Sequence, residues 1–348
     1  MERISASAPG KVLLMGEYAV LDGCPALCLA VNRRATVSID IGMTRQSGLL
    51  TSLLPGIFLE FTVNTSGELH WLALDAPSQP VRQAFEHLLT GELLQYLGFG
   101  TGCIFTLDSQ SFYVDQASAR HKLGLGSSAA IFAAMAAATD DLLQQSTPVE
   151  TIIRRHRAAQ GDAGSGVDVA CSVAGGLVRY RLNDKQPEIH PLDWPVDFPW
   201  SCVWAGQPTS TADMVVDFQR WQATDPFAWE SLKLTACGLL EKAEKALVAR
   251  DLDGWLDSVG DSLAWLRELG QASKMPIVSP IHEHFAKMAL ESGCVYKPSG
   301  AGSGDIGIAF GASEDVLEAF NNRVMEAGYQ VLELDPELTG LSGRKRNL

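Results

Sequence analysis

The 348-residue chain has no CxxC pair, no histidine cluster and little basic charge. It also has no uncharged apolar run near the ~20 residues that a membrane helix needs, so a membrane span is not expected. Lys plus Arg number 27 against 41 Asp plus Glu, a net charge of −14. So acidic a chain lacks the basic surface that nucleic acid requires. It repels anions at long range, so an anion site here must be built locally from backbone N–H groups and a few cations. Its seven cysteines are expected as buried, reduced thiols. Glu2 and Arg3 lead into small residues rather than a basic-plus-apolar leader, so the expectation is a cytoplasmic protein. The usual nucleotide and nucleophile signatures are missing as well: GxxxxGK[ST], HRD, DFG and GxSxG do not occur. Gly302 to Gly307 fits GxGxxG, but the residues after it read as a strand, where a dinucleotide fold needs a helix.

What is present is a globular composition, 46% hydrophobic and 20% charged, in a chain long enough for two domains. The first forty residues read as strands, and 49–75 as a meander turning at Pro55-Gly56 and Ser66-Gly67. Gln79 to Leu97 reads as one helix. An Ala-rich helix follows over 129–145, then one from a Thr147-Pro148-Glu150 capping box to about 159. Val169–Val173 suggests a short helix and 176–182 a strand. Four prolines between 184 and 200 mark a junction, giving expected domains of 1–185 and 186–348. Beyond it come two long helices, 226–249 and 252–270. Helix 280–292, strand 294–297, a Gly-rich loop, strand 306–310, helix 313–327 and strand 329–334 complete an α+β pattern. The Trp and Leu residues of 252–270 read as core or a dimer face, Asp140-Asp141 as a solvated face, and Arg344-Lys345-Arg346 as a frayed end.

Chemistry concentrates in glycine-rich stretches. Lys122-Leu-Gly-Leu-Gly-Ser-Ser-Ala-Ala130 opens the Ala-rich helix. A helix N-terminus carries unpaired N–H donors and about half a positive charge, which suits phosphate. Ser127 and Ser128 can cap that helix, and one hydroxyl could reach a nucleotide-bound Mg²⁺.

Two further stretches are Ser7-Ala-Pro-Gly-Lys-Val-Leu-Leu-Met-Gly-Glu-Tyr-Ala-Val-Leu21 and Lys297-Pro-Ser-Gly-Ala-Gly-Ser-Gly-Asp-Ile-Gly-Ile-Ala309. With the middle stretch they resemble, in order and spacing, the three motifs of the GHMP kinase superfamily. The resemblance implies an α+β fold of two parts: an N-terminal domain like ribosomal protein S5 and a C-terminal ferredoxin-like domain. It implies ATP held by Lys122, Gly124, Leu125, Gly126, Ser127, Ser128 and Ala129. Mg²⁺ is implied on Ser127 or Ser128, with Lys11 beside the transferring group. A fourth stretch, Gln160 to Ala170, looks like the segment carrying the family's catalytic Asp, here Asp168.

Gly164-Ser-Gly-Val-Asp-Val-Ala170, Gly16-Glu17-Tyr18 and Gly304-Asp305-Ile306-Gly307 resemble the phosphomevalonate kinase branch more than the mevalonate kinases. Mevalonate kinases carry a metal-binding Glu eleven residues before the catalytic Asp, and that position is Arg157 here. The implied reaction is ATP plus phosphomevalonate, by a monomer or homodimer. Mevalonate kinase, diphosphomevalonate decarboxylase and a non-catalytic binder are the alternatives. Asp168 is expected as a general base for a hydroxyl acceptor, or as an orienting group for a phosphate acceptor. Acceptor contacts are expected from Lys11, Tyr18, Ser165, Gly302 and Ser303. Arg120, His121, Lys122, Arg179 and Lys297 are candidate cations. His156 is expected to pack or cap, and Asp305 either to complete a tight turn or to serve the site.

Overall fold

A computed structural model describes residues 2–42, 47–72, 78–116, 119–162, 164–183 and 186–343. The basic tail at 344–346 lies outside them. Alternating burial makes two long antiparallel strands of the chain's start, β1 (Glu2–Met15) and β2 (Ala26–Ile41). The meander follows as β3 (Ser47–Thr51), β4 (Phe58–Val63) and β5 (Leu69–Trp71). The single helix expected over 79–97 is two, α1 (Gln79–Leu88) and α2 (Gly91–Gly98). Leu89 is extended, and the Thr90 side chain accepts from the Leu93 amide, restarting the helix.

Next come β6 (Cys103–Asp108) and the hairpin of β7 (Tyr113–Gln116) and β8 (Ala119–Lys122). Then follow α3 (Ser127–Leu143), α4 (Val149–Ala159), α5 (Val167–Ala174), β9 (Leu177–Asn183) and β10 (Gln186–Leu192). The expected capping box at Thr147 is not used. Pro148 holds the N-cap place without a side-chain bond. The Thr147 amide and hydroxyl instead donate to Asp140, 2.7 Å each, so Asp140 ties two helices and is not merely a solvated charge.

The first sheet runs β10-β9-β2-β6-β3-β4-β5, with β1 on β2. Pro187 and Pro191 therefore sit in an edge strand, where a missing N–H costs little. The sheet continues to Leu192, and β11 of the second layer begins at Trp200.

The second layer starts with β11 (Trp200–Trp204) and α6 (Thr211–Thr224), neither evident from periodicity. After them stand α7 (Pro226–Ala249), α8 (Leu252–Ser273), α9 (Pro280–Glu291), β12 (Val295–Ser299), β13 (Ile306–Phe310), α10 (Glu314–Glu326) and β14 (Gln330–Leu332). These four strands lie antiparallel in the order β12-β13-β11-β14, the ferredoxin-like arrangement. Trp255, Trp265 and Leu266 of α8 are core. The chain then returns to the first sheet: Pro336 bridges Val31, and β15 (Ser342–Gly343) pairs β1.

Cys24 and Cys237 form a disulfide, Cα atoms 5.4 Å apart, which corrects the expectation that all thiols are free. Their sequence separation of 213 leaves no spacing signature, because folding alone brings the turn after β1 against α7. The other five cysteines are buried and free. Among the described residues no helix is long and apolar enough to cross a membrane.

Candidate active site

The site is assembled around a register shift in β1 between Pro9 and Gly10. Gly10 has no room for a side chain: a Cβ there would stand 2.8 Å from the Leu125 carbonyl oxygen. That close approach lets the Lys11 amide donate to Leu125 O at 2.9 Å, clamping the first motif to the second. The Lys11 side chain is buried, and its Nζ lies 3.5 Å from Oδ1 of Asp168. Burial acts to lower the Lys11 pKa. The opposing charge of Asp168, helped by Cys28 and Asp305, outweighs it and raises the pKa above its ordinary value. Lys11 is thus a buried ammonium held charged at neutral pH.

Asp168 sits in the first turn of α5, behind Gly166 at φ 90°. The loop before it is braced from two sides. Arg157 Nε donates to Gly164 O at 2.7 Å, and the Tyr180 hydroxyl donates to Ser165 O at 2.7 Å. Arg157 therefore acts on the backbone of the Asp168 loop. Ser165 accepts from the Val167 amide at 3.3 Å and lines the same cavity.

The start of α3 differs from expectation. Gly126, at φ 80°, holds the N-cap place, and neither serine caps the helix. A Cβ on Gly126 would stand 3.1 Å from Lys11 Cγ, so the lysine stem lies across the helix mouth. The first amides of α3 have no partner within the helix. Lys122, Gly124, Gly126, Ser128 and Ala129 line the cavity. Leu125 and Ser127 do not: both are buried, and Leu125 contributes its carbonyl to Lys11 instead. Ser128 Oγ lies 3.2 Å from His156 Nε2, and His156 stands edge-on to Phe132. Burial lowers the His156 pKa to about 4, so the ring is neutral at pH 7.

On the opposite wall, the Tyr18 hydroxyl donates to Ala301 O at 2.6 Å. Leu13 and Ser299 exchange two bonds: the amide donates to Ser299 Oγ at 3.1 Å, and that hydroxyl donates to Leu13 O at 2.9 Å. Ser299, Gly300 and Ala301 line the cavity, whereas Gly302 and Ser303 do not. Gly302 is pressed against the Ile277 carbonyl, and the Ser303 amide donates to that same oxygen. The loop turns away from the cavity after Ala301, so the two residues expected at the acceptor face Ile277 in this structure.

Of the five candidate cations, Lys122 alone lines the cavity. Arg120 covers the Tyr113 ring and donates to Ser52 O, and Arg179 pairs with Glu244 at 2.9 Å. His121 packs on Trp204. Lys297 is fully buried in an ion pair with Glu17. Sequence reading also missed the start of α6, which brings Thr209, Ser210, Thr211 and Ala212 to the cavity. Ser210 followed by Asp213 was the available signal, a serine N-cap whose side chain accepts from the Asp213 amide.

The cavity encloses about 330 Å³. The starts of α3, α5 and α6 all open onto it, an arrangement that suits an anion. Among the described residues no group of three His, Cys, Asp or Glu could hold a metal. Ser128 Oγ and the partly exposed Asp168 can still supply two oxygen ligands, which suits a Mg²⁺ that arrives on phosphate and keeps water.

Residues 91–176 match the GHMP kinases N terminal domain. A phosphomevalonate kinase from Streptomyces sp. (strain CL190) is 28% identical over 96% of this chain and 97% of its own length. A mevalonate kinase from Thermococcus gammatolerans is 28% identical over 78% of this chain and 83% of its own. The fold is shared with Streptococcus pneumoniae phosphomevalonate kinase in complex with phosphomevalonate and AMPPNP. That likeness has a TM-score of 0.74 at 18% identity, over 97% of this chain and 100% of that one. A Listeria innocua protein is similar with a TM-score of 0.81 at 22% identity, over 99% and 100%. The domain match, one relative spanning nearly the whole chain and the common fold together make this chain similar to the GHMP kinases, which are phosphotransferases.

Proposed function

We propose that the chain is a phosphomevalonate kinase, converting ATP and 5-phosphomevalonate to ADP and 5-diphosphomevalonate. The observation that carries this reading is the Lys11–Asp168 pair, 3.5 Å apart, at the open start of α3. The triphosphate lies along Lys122, Gly124, Gly126, Ser128 and Ala129, with Leu125 and Ser127 supporting from behind. The acceptor lies between Tyr18, Ser165, the Ser299–Ala301 strand end and the start of α6. The end of β8, the loop after it and the start of α3 hold the nucleotide, and the second layer closes one side of the acceptor space.

An acceptor phosphate oxygen attacks the γ-phosphorus as the bond to the β-phosphate oxygen breaks, and ADP leaves with that electron pair. Phosphoryl transfer is mainly positioning and charge stabilisation, and a buried ammonium serves both. Lys11 offsets charge on the transferring oxygens. A phosphate monoester is largely ionised at neutral pH, so Asp168 orients Lys11 rather than removing a proton. Ser128 and Asp168 would hold a Mg²⁺ that arrives with the nucleotide, and the ion would supply charge neutralisation. Support for the phosphorylated acceptor comes from the full-length similarity to a phosphomevalonate kinase and from two cavity lysines beside three helix starts.

The test is coupled ADP release with mevalonate, 5-phosphomevalonate and 5-diphosphomevalonate. Turnover with 5-phosphomevalonate alone is expected. Turnover with mevalonate assigns a mevalonate kinase instead, and CO₂ release a decarboxylase.

A further inference from the structure

We propose that Asp305 is a positioning residue that locks the nucleotide loop to the acceptor wall. Its backbone amide donates to Gln207 O and its carbonyl accepts from the Ala205 amide, 2.7 Å each. Its carboxylate Oδ1 accepts from the Thr209 amide at 3.0 Å. One residue thereby gathers the segment that leads into α6, whose first turn lines the acceptor side. The same side chain rests on the nucleotide loop. A Cβ built on Gly124 would stand 2.6 Å from Asp305 Cβ and 2.9 Å from Oδ2, so this contact needs glycine. Gly124 also has φ 77°, a conformation that disfavours any other residue.

Asp305 is itself held in place. It has φ 55°, which Asp and Asn tolerate better than most residues. The preceding loop is braced by His282, whose Nε2 lies 3.0 Å from Gly304 O, and by Ser279, whose hydroxyl donates to Ser303 O at 2.6 Å. A carbonyl can only accept, so His282 Nε2 carries the proton and Nδ1 accepts from the Tyr296 hydroxyl at 2.7 Å. These bonds leave Asp305 little freedom to move, so donor loop and α6 are fixed relative to each other through it. The consequence is a fixed relation between γ-phosphate and acceptor, where a displacement near 1 Å costs about 10²-fold in rate. With the lock open, the acceptor no longer fills the in-line position and water competes for the phosphoryl group.

The lock rests on the chain being a kinase, and not on which acceptor it prefers. The experiment compares wild type, Asp305→Gly, Asp305→Asn and Thr209→Pro with whichever acceptor the wild type phosphorylates. It reads kcat, KM for ATP, and ADP formed per phosphorylated product. Gly permits the positive φ but removes the carboxylate. Asn keeps an acceptor for the Thr209 amide. Thr209→Pro deletes the donor of the same bond and leaves Asp305 intact, so it decides the matter should Asp305→Gly not fold. Expected for Asp305→Gly and Thr209→Pro is a kcat loss of tenfold or more, KM for ATP within threefold, and at least two ADP per product. Asp305→Asn is expected to stay near one ADP per product. A ratio of one in both disrupted variants overturns the lock, as does uncoupling in Asp305→Asn equal to that in Asp305→Gly. Absence of 5-phosphomevalonate turnover by the wild type would instead sink only the acceptor assignment.

Discussion

Glu17 and Lys297, 280 residues apart in the chain, meet as an ion pair from which water is excluded, directly behind the wall that carries Tyr18 and Ala301. Burial pushes the Glu17 carboxyl up despite Lys297, and pushes the Lys297 ammonium down despite Glu17. Such a pair contributes little net stability, yet losing one partner strands the other charge in the interior. Lys297→Met should therefore cost about 3–5 kcal/mol, measured by urea unfolding. The double variant Glu17→Gln, Lys297→Met should recover part of that loss. A single variant as stable as wild type refutes the account.

Lys11→Met should lower kcat by roughly 10²–10³-fold, the usual effect of removing one charge-stabilising donor. Steady-state kinetics with matched thermal unfolding curves check this. Because Asp168 is the largest influence opposing burial at Lys11, Asp168→Asn should lower the lysine's pKa. The active form is the protonated one, so activity is lost as pH rises through that pKa. The alkaline limb of the rate profile should thus move to lower pH in Asp168→Asn. An unmoved limb contradicts the pairing.

The role of Asp168 separates by acceptor. A general base contributes about 10²–10⁴-fold where a hydroxyl must lose its proton. With 5-phosphomevalonate the Asp168→Asn loss should stay below about 10²-fold, since an ionised phosphate needs no base. With any alcohol the enzyme accepts, the loss should be larger. Equal losses for the two acceptor types would be inconsistent with an orienting role.

Acid should unfold the protein through two histidines. Burial lowers the pKa of both His156 and His282 to about 4, below the ordinary value of 6.5. The unfolded chain binds those protons first, so stability is complete above pH 6.5 and falls as pH drops towards 4. Each group contributes on the order of 2–3 kcal/mol to that loss. Urea midpoints at pH 7.5 and pH 5 measure it, and His282→Gln should flatten the difference. Midpoints that agree at the two pH values rule it out.

Much of the site was legible because its residues are grouped along the chain. Lys11 follows Pro-Gly, Ser128 opens an Ala-rich helix, and Asp168 stands behind Gly-Ser-Gly. Their neighbours in space were harder. Gly302 and Ser303 lie in the right motif, but the loop turns them towards Ile277. Lys297 stands in the same motif as Ala301, yet its side chain enters the core. Nothing local distinguishes a lysine facing a ligand from one facing a buried glutamate. The α6 start escaped notice because its helix carries a weak apolar stripe, Met214, Val215 and Phe218 being its buried residues.

Sequence alone determined most of the elements and the residue types that carry the chemistry. Apolar period sets strand or helix, glycine permits the positive φ values at the turns, and motif order carries the resemblance to the GHMP kinases. Those are local properties, encoded within a few residues. Tertiary structure decided which groups share the cavity, that Arg157 braces the Asp168 loop, that Asp305 joins Gly124 to Thr209, and that Cys24 reaches Cys237. Each of these depends on the direction a side chain takes once distant segments pack. That direction is set by burial and hydrogen-bond satisfaction across the whole fold, which no window of sequence contains.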